Sequence, residues 1–269
     1  MNGSAIGIMD SGIGGLTVLS HIKALLPQER LIYLADNAFC PYGPRPAEEV
    51  TDRCRKIVRF FLRKECKMVV FACNTATAAA IHTLRAEFPD LPIVGMEPAV
   101  KPAVLHTRTG VVGVLATRGT LKGSLYNRTL ATFAGEVKVI EKVGEGWVDA
   151  VERGEWNSPA TREMVAAAIK PLLDQGADHL VLGCTHYPFL APVIGELAGP
   201  HVVIVDPAPA VAQRVKWLLL ENNLTNNSGI VDEDEFYTTG EVSVLPSAVA
   251  KTANGGTIKW RSYTLENIE

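Results

Sequence analysis

The sequence predicts an α/β protein built from two similar units, each with a mainly parallel sheet. Three observations carry that expectation. Short apolar runs alternate with longer amphipathic stretches along the 269 residues, the pattern of repeated strand–helix units. The alternation comes in two series of like length. The series also match at one place rich in chemistry: Val69-Val70-Phe71-Ala72-Cys73-Asn74-Thr75 and Leu180-Val181-Leu182-Gly183-Cys184-Thr185-His186 each run from an apolar strand into a cysteine followed by small polar residues.

Taken in order, the first series has predicted strands at Ala5–Met9, Arg30–Ala35, Met68–Ala72 and Pro92–Gly95. The second has Gly110–Ala116, Val137–Glu141, His179–Gly183 and Val202–Asp206. Helices are predicted over Gly14–Leu26, Ala47–Lys64, Thr75–Phe88, Gly119–Phe133, Thr161–Gln175 and Ala208–Glu221. A small-residue turn follows the first strand of each series, Asp10-Ser11-Gly12 and Thr117-Arg118-Gly119-Thr120. Cys73 lies 63 residues beyond Asp10, and Cys184 lies 67 beyond Thr117. The boundary is placed near Glu97-Pro98, where Pro98 and Pro102 disfavour a helix running through. After a polar break at Asn222–Gly229, the tail carries Asp232-Glu233-Asp234-Glu235 and Phe236-Tyr237-Thr238-Thr239-Gly240. The residues alone leave open which unit the tail joins.

Composition narrows the function. Apolar residues make up 47% of the chain, as in a globular protein, and the net charge is −3 with no basic block. No direct nucleic-acid binding is therefore expected. No apolar run approaches the ~18 residues of a membrane span, and Met-Asn-Gly-Ser lacks the character of a signal peptide. A cytoplasmic protein without membrane association is expected. Its five cysteines, odd in number and scattered, would be thiols in a reducing compartment.

In open parallel sheets, ligands bind beyond the carboxyl ends of the strands. Asp10, Ser11, Asp36, Cys73, Asn74, Thr75, Thr117, Cys184, Thr185, His186 and Asp206 all fall at or just after predicted strand ends. Thr75 and Thr120 suit either helix capping or ligand contact. Cys73 and Cys184 each precede a helix, whose amides and dipole would favour thiolate and give a usable base near neutral pH. Two matched thiols facing one cleft could take a proton from one face of a carbon and return one to the other. Cys54 and Cys66 read as packing residues. Cys40, ahead of Pro41-Tyr42-Gly43, has no counterpart in the second series. His21, His82, His106, His179 and His201 read as surface or core residues.

Other chemistries fit less well. Cys184 and His186 lack a second close Cys/His pair, so no metal is expected. A cysteine hydrolase would leave the duplicated thiol without purpose. Gly12-Ile13-Gly14-Gly15 lacks the third glycine of a dinucleotide fingerprint, and Asp10 would repel a phosphate. A turn whose backbone amides bind a carboxylate suits it better.

Several segments resemble the glutamate racemases. They are Met9-Asp10-Ser11-Gly12-Ile13-Gly14-Gly15-Leu16-Thr17-Val18, Pro41-Tyr42-Gly43 with Arg45, Ala72-Cys73-Asn74-Thr75-Ala76, Leu182-Gly183-Cys184-Thr185-His186-Tyr187-Pro188-Phe189 and Phe236-Tyr237-Thr238-Thr239-Gly240. The likeness spans nearly the whole chain. Aspartate racemases usually have an acidic residue where His186 stands, so the glutamate branch is indicated. The resemblance implies two flavodoxin-like α/β domains with the active site between them: 1–97 joined by a returning segment from about 207–269, and 98–206. It implies cofactor-free and metal-free interconversion of L- and D-glutamate for peptidoglycan synthesis, and a homodimer. By position, Cys73 would act on D-glutamate with help from Asp10, and Cys184 on L-glutamate with help from His186. Asp36 and Glu152 match possible helpers. Ser11, Tyr42, Gly43, Asn74, Thr75, Thr117 and Thr185 would line the substrate, together with Asp10 and His186. One departure is Ala35, where many members have glycine. The alternatives are a racemase for aspartate or another acidic amino acid, or a non-enzymatic carboxylate-binding or protein-interaction module.

Overall fold

Alternate residues of β1 (Ile6–Asp10) face opposite apolar layers, Ile6 and Ile8 toward one and Met9 toward the other. β2 (Leu31–Ala35) and β3 (Met68–Phe71) repeat the pattern, with Leu31, Tyr33, Met68 and Val70 in the first layer and Ile32, Leu34, Val69 and Phe71 in the second. Strands buried on both faces are what a parallel sheet covered by helices requires. The structure, a computed structural model, describes residues 4–229, 232–245 and 258–265.

With β4 (Ile93–Val94), the order is β2-β1-β3-β4, parallel throughout. α1 (Leu16–Leu25) covers one face, and α2 (Ala47–Arg63) and α3 (Asn74–Glu87) the other. α2 buries Val50, Cys54, Ile57, Val58 and Phe61 along one helical stripe, so Cys54 is a packing residue.

After α4 (Val100–His106), the second sheet starts with β5 (Val111–Ala116). Two helices, α5 (Arg118–Leu121) and α6 (Ser124–Phe133), lead to β6 (Lys138–Val143). α7 (Trp147–Glu152) and α8 (Pro159–Leu173) lead to β7 (His179–Gly183), and α9 (Ala191–Ala198) to β8 (Val203–Val205). The order β6-β5-β7-β8, again all parallel, has the same relative sequence as the first sheet. α10 (Ala208–Glu221) then packs against α1. In the tail, β9 (Glu235–Thr238) pairs with β2 and β10 (Trp260–Ser262) with β9, extending the first sheet to six strands among the described residues.

Four local expectations differ from the structure. Helix α4 starts two residues after Pro98 and runs on through Pro102, because Pro102 occupies its first turn, where the missing N–H has no partner to lose. The predicted helix over 119–133 is two helices. Gly123 is extended between them (φ −67°, ψ 137°), and a Cβ there would sit 2.8 Å from the Ala78 methyl. β6 continues past Glu141, pairing Lys142 and Val143 with Leu115 and Ala116. α7 and α9 are short helices that the sequence periodicity does not announce.

Candidate active site

In each sheet the chain moves to one side after its first strand and to the other after its third. A crevice therefore opens at the carboxyl ends of β1 and β3, and of β5 and β7. Asp10 ends β1 and Cys73 follows β3; Thr117 follows β5 and Cys184 follows β7. The two crevices meet. Ser11, Tyr42, Gly43, Cys73, Asn74, Thr75, Thr117, Cys184, Thr185 and His186 line one narrow cavity, along with Pro41 and Val148. An adjoining space of about 180 Å³ shares Pro41, Gly43, Thr117 and Val148 and is rimmed by the exposed Arg118–Glu145 ion pair. It forms the mouth.

Cys73 is itself the N-cap of α3, its Sγ accepting from Ala76 N at 3.5 Å and lying 3.9 Å from Ser11 Oγ. The sequence leads one to expect help toward thiolate from the helix start, and in the structure burial works against that help. A helix dipole is worth up to ~2 kcal/mol, about 1.5 pKa units, whereas full burial shifts a pKa by up to 3–5 units the other way. Burial, reinforced by the Asp10 charge, pushes the Cys73 thiol far up despite the Ala76 amide. Asp10 is fully buried as well, and burial raises its carboxyl against the pull of His186. Asp10 Oδ2 accepts from Gly12 N at 3.1 Å and Oδ1 from Thr185 Oγ1 at 3.0 Å. That second bond joins the Cys73 side of the site to the loop carrying Cys184.

His186 stands between Cys184 and Glu152, Nδ1 3.8 Å from Cys184 Sγ and Nε2 2.5 Å from Glu152 Oε1. Burial alone would lower the imidazole pKa. Hydrogen bonds to Cys184, Cys40 and Glu152, with the Asp10 charge, outweigh it and hold the pKa well above the ordinary histidine value. Glu152 is fixed at both oxygens: Oε1 accepts from Ile13 N at 2.8 Å, Oε2 from Asn37 Nδ2 at 2.7 Å. α7 presents Glu152 because Trp147, fully buried at its start, packs edge-on against Tyr187 at 4.7 Å. Val148, one turn before Glu152, lies on the same helix face toward the cavity.

The glycines of Gly12-Ile13-Gly14-Gly15 provide close approach. A Cβ on Gly12 would overlap Glu152 Oε1, and one on Gly14 would sit 2.5 Å from His186 Nδ1. The turn's amides do bind carboxylates, as expected, but those of the protein's own Asp10 and Glu152.

Asp36 lies behind the wall. Tyr42 OH donates to it at 2.6 Å, Arg53 through two bonds at 2.8 Å, and Thr239 Oγ1 at 2.6 Å. It anchors Tyr42 rather than facing the cavity. Thr75 Oγ1 lies 2.8 Å from Thr117 Oγ1, which lies 3.0 Å from Thr120 Oγ1, a hydroxyl cluster spanning both sheets. The side-chain cap of α5 is Thr117, so neither Thr75 nor Thr120 caps its helix. Asn74 is buried in the cavity wall, and both polar atoms of its amide lack a protein partner. Asp206 instead caps α10 through Ala208 N at 2.9 Å and does not line the cavity. Sequence reasoning missed Val148, Asn37 and Arg53, and left Cys40 unassigned. Of these, only Cys40 had a signal, its place before Pro41-Tyr42-Gly43.

Residues 6–215 match the model of the Asp/Glu/hydantoin racemase family. A glutamate racemase from Methylococcus capsulatus is 46% identical over 249 residues, 93% of this chain and 92% of that one. Among solved structures, the Bacillus anthracis glutamate racemase isoform RacE1 superposes with a TM-score of 0.88 at 33% identity, covering 98% of this chain and 99% of that one. The Francisella tularensis glutamate racemase in complex with D-glutamate gives 0.85 at 26% identity, covering 99% of each chain.

Proposed function

Because this chain belongs to the Asp/Glu/hydantoin racemase family, we propose that it interconverts L- and D-glutamate by a two-base mechanism without pyridoxal phosphate or metal. The observation that carries this reading is the convergence of Cys73 and Cys184, one from each sheet, on a single buried cavity. Cys184 takes the α-proton of L-glutamate as a thiolate while the Cys73 thiol gives a proton to the opposite face. D-glutamate runs the exchange in reverse. Each turnover moves one proton onto one sulfur and one off the other, so the two protonation states of the pair alternate. The buried, protonated state of Cys73 suits the donor role toward L-glutamate.

The α-hydrogen is very weakly acidic, and the site must stabilise the developing charge without an electron sink. Asn74 supports this reading, since an unpartnered buried amide costs about 1–3 kcal/mol that substrate contacts would offset. Ser11, Tyr42, Gly43, Thr75, Thr117 and Thr185 complete the substrate wall. Asp10 assists Cys73. His186, oriented by Glu152, assists Cys184 in the manner of an acid–base pair held by a carboxylate.

Residues 1–97 with about 207–269 form one domain and 98–206 the other, a division supported by sheet membership. The enzyme acts in the cytoplasm as a homodimer and supplies D-glutamate for peptidoglycan. Among the described residues no helix is long and apolar enough to cross a membrane. Circular dichroism on D-glutamate with purified protein and no added cofactor tests the activity. Racemisation is expected, and it should vanish in both Cys73→Ser and Cys184→Ser. Full activity in either variant would end the two-base reading, and light scattering would test the dimer.

A further inference from the structure

Cys40 takes no part in the proton transfers proposed above, yet its sulfur lies beside the groups that support them. Cys40 Sγ, a His186 ring nitrogen and a Glu152 carboxylate oxygen all lie within 4.8 Å of one another. We propose that these three side chains form an inhibitory site for a thiophilic divalent cation of the Zn²⁺ class, an inference that rests on the role read for His186.

The donor set is the first argument. Thiolate, imidazole and carboxylate together suit Zn²⁺ and Cd²⁺ rather than Mg²⁺ or Ca²⁺, which prefer oxygen alone. Three protein ligands also leave a fourth position for water. Placement is the second. Zn²⁺ ligand bonds of ~2.0–2.3 Å set tetrahedral ligand atoms about 3.3–3.8 Å apart, so the widest separation in the group must close by up to about 1 Å, while His186 Nε2 and Glu152 Oε1, 2.5 Å apart, must open by about as much. The ligands come from three separate segments: Cys40 ends the short 3-10 turn Asn37–Phe39, Glu152 ends α7, and His186 follows β7. Asn37 and the Ile13 amide hold the Glu152 oxygens in place.

Binding exchanges protons and changes no oxidation state. The Cys40 thiol loses its proton to solvent, as does the protonated Nε2 of His186, and bonds form from the metal to sulfur, nitrogen and oxygen. The His186–Glu152 hydrogen bond is lost. The imidazole keeps only the proton on Nδ1, facing Cys184, and its carboxylate partner is occupied by the metal. Racemisation stops until the metal leaves.

Two measurements on the full chain test this. In a Cys73→Ser/Cys184→Ser background, Cd²⁺ should give a near-ultraviolet thiolate charge-transfer band at one ion per chain, lost when Cys40→Ser is added. In the otherwise unaltered enzyme, Zn²⁺ should inhibit and EDTA restore activity, whereas the activity that Cys40→Ser retains should resist Zn²⁺. A band that survives Cys40→Ser, no band at all, or equal Zn²⁺ inhibition of that variant would overturn the proposal. A Cys40-dependent band in a protein with no racemisation under any condition would support the metal site while overturning the racemase reading.

Discussion

At the residue scale, the two cysteines are alike in position and unlike in company. Asp10 stands behind Cys73, and a histidine–carboxylate pair stands behind Cys184. Glu152→Gln should leave the fold intact but loosen the imidazole, lowering kcat/KM by up to about 100-fold. Enantiomers have equal free energy, so that loss must be the same in both directions, and any asymmetry appears only in kcat and KM separately. Progress curves from pure L- and pure D-glutamate would check it; unequal kcat/KM losses would exclude racemisation as the reaction. Arg53→Ala tests a different residue role. It leaves the fully buried Asp36 without its guanidinium, and about 3–5 kcal/mol of stability should be lost in urea unfolding. A loss below about 1 kcal/mol, the range of an exposed pair, would contradict that role.

At the element scale, the site depends on backbones approaching side chains closely. Gly12→Ala should push Glu152 and the end of α7 away from His186, so activity should collapse while the melting temperature changes little. Unchanged activity would show that this approach is dispensable. Asp178 ties the end of α4 to the start of β7. Burial raises its carboxyl, but hydrogen bonds from Thr107, His179 and the Arg108 and Thr109 amides outweigh that and leave it well below the ordinary range. A depressed folded pKa gives stability that is present above the unfolded value, ~3.9, and lost as pH falls below it. The melting temperature should therefore drop below about pH 4. In Asp178→Asn that contribution is absent, and the variant should be about 2 kcal/mol less stable at neutral pH.

The same scale separates what the sequence discloses from what it does not. The long elements and both cysteine turns are readable because β1, β3 and β7 are short, mainly apolar runs and α2 carries its apolar residues at helical spacing. α7 is not, because six residues are too few to establish a period and its position depends on Trp147 meeting the distant Tyr187. The balance between helix start and burial at Cys73 is hidden from the sequence for a related reason. Its helix is local and visible in sequence, whereas its burial is a property of the assembled layers. Arg53 and Asn37 act through partners far along the chain, Asp36 and Glu152, and nothing in their own neighbourhoods announces it.

At the scale of the molecule, two sheets of like topology set their switch points against each other. Thr185–Asp10, Glu152–Ile13 and Thr75–Thr117 bond across that seam. A near-symmetric cleft can present a base to either face of one carbon, which racemisation needs. Isotope transfer during early turnover in D₂O tests this directly. If two thiols serve opposite faces, the first D-glutamate formed from L-glutamate should carry deuterium at Cα, and the remaining L-glutamate should not. Deuterium appearing equally in both enantiomers from the start would mean that a single base serves both faces and would contradict the account.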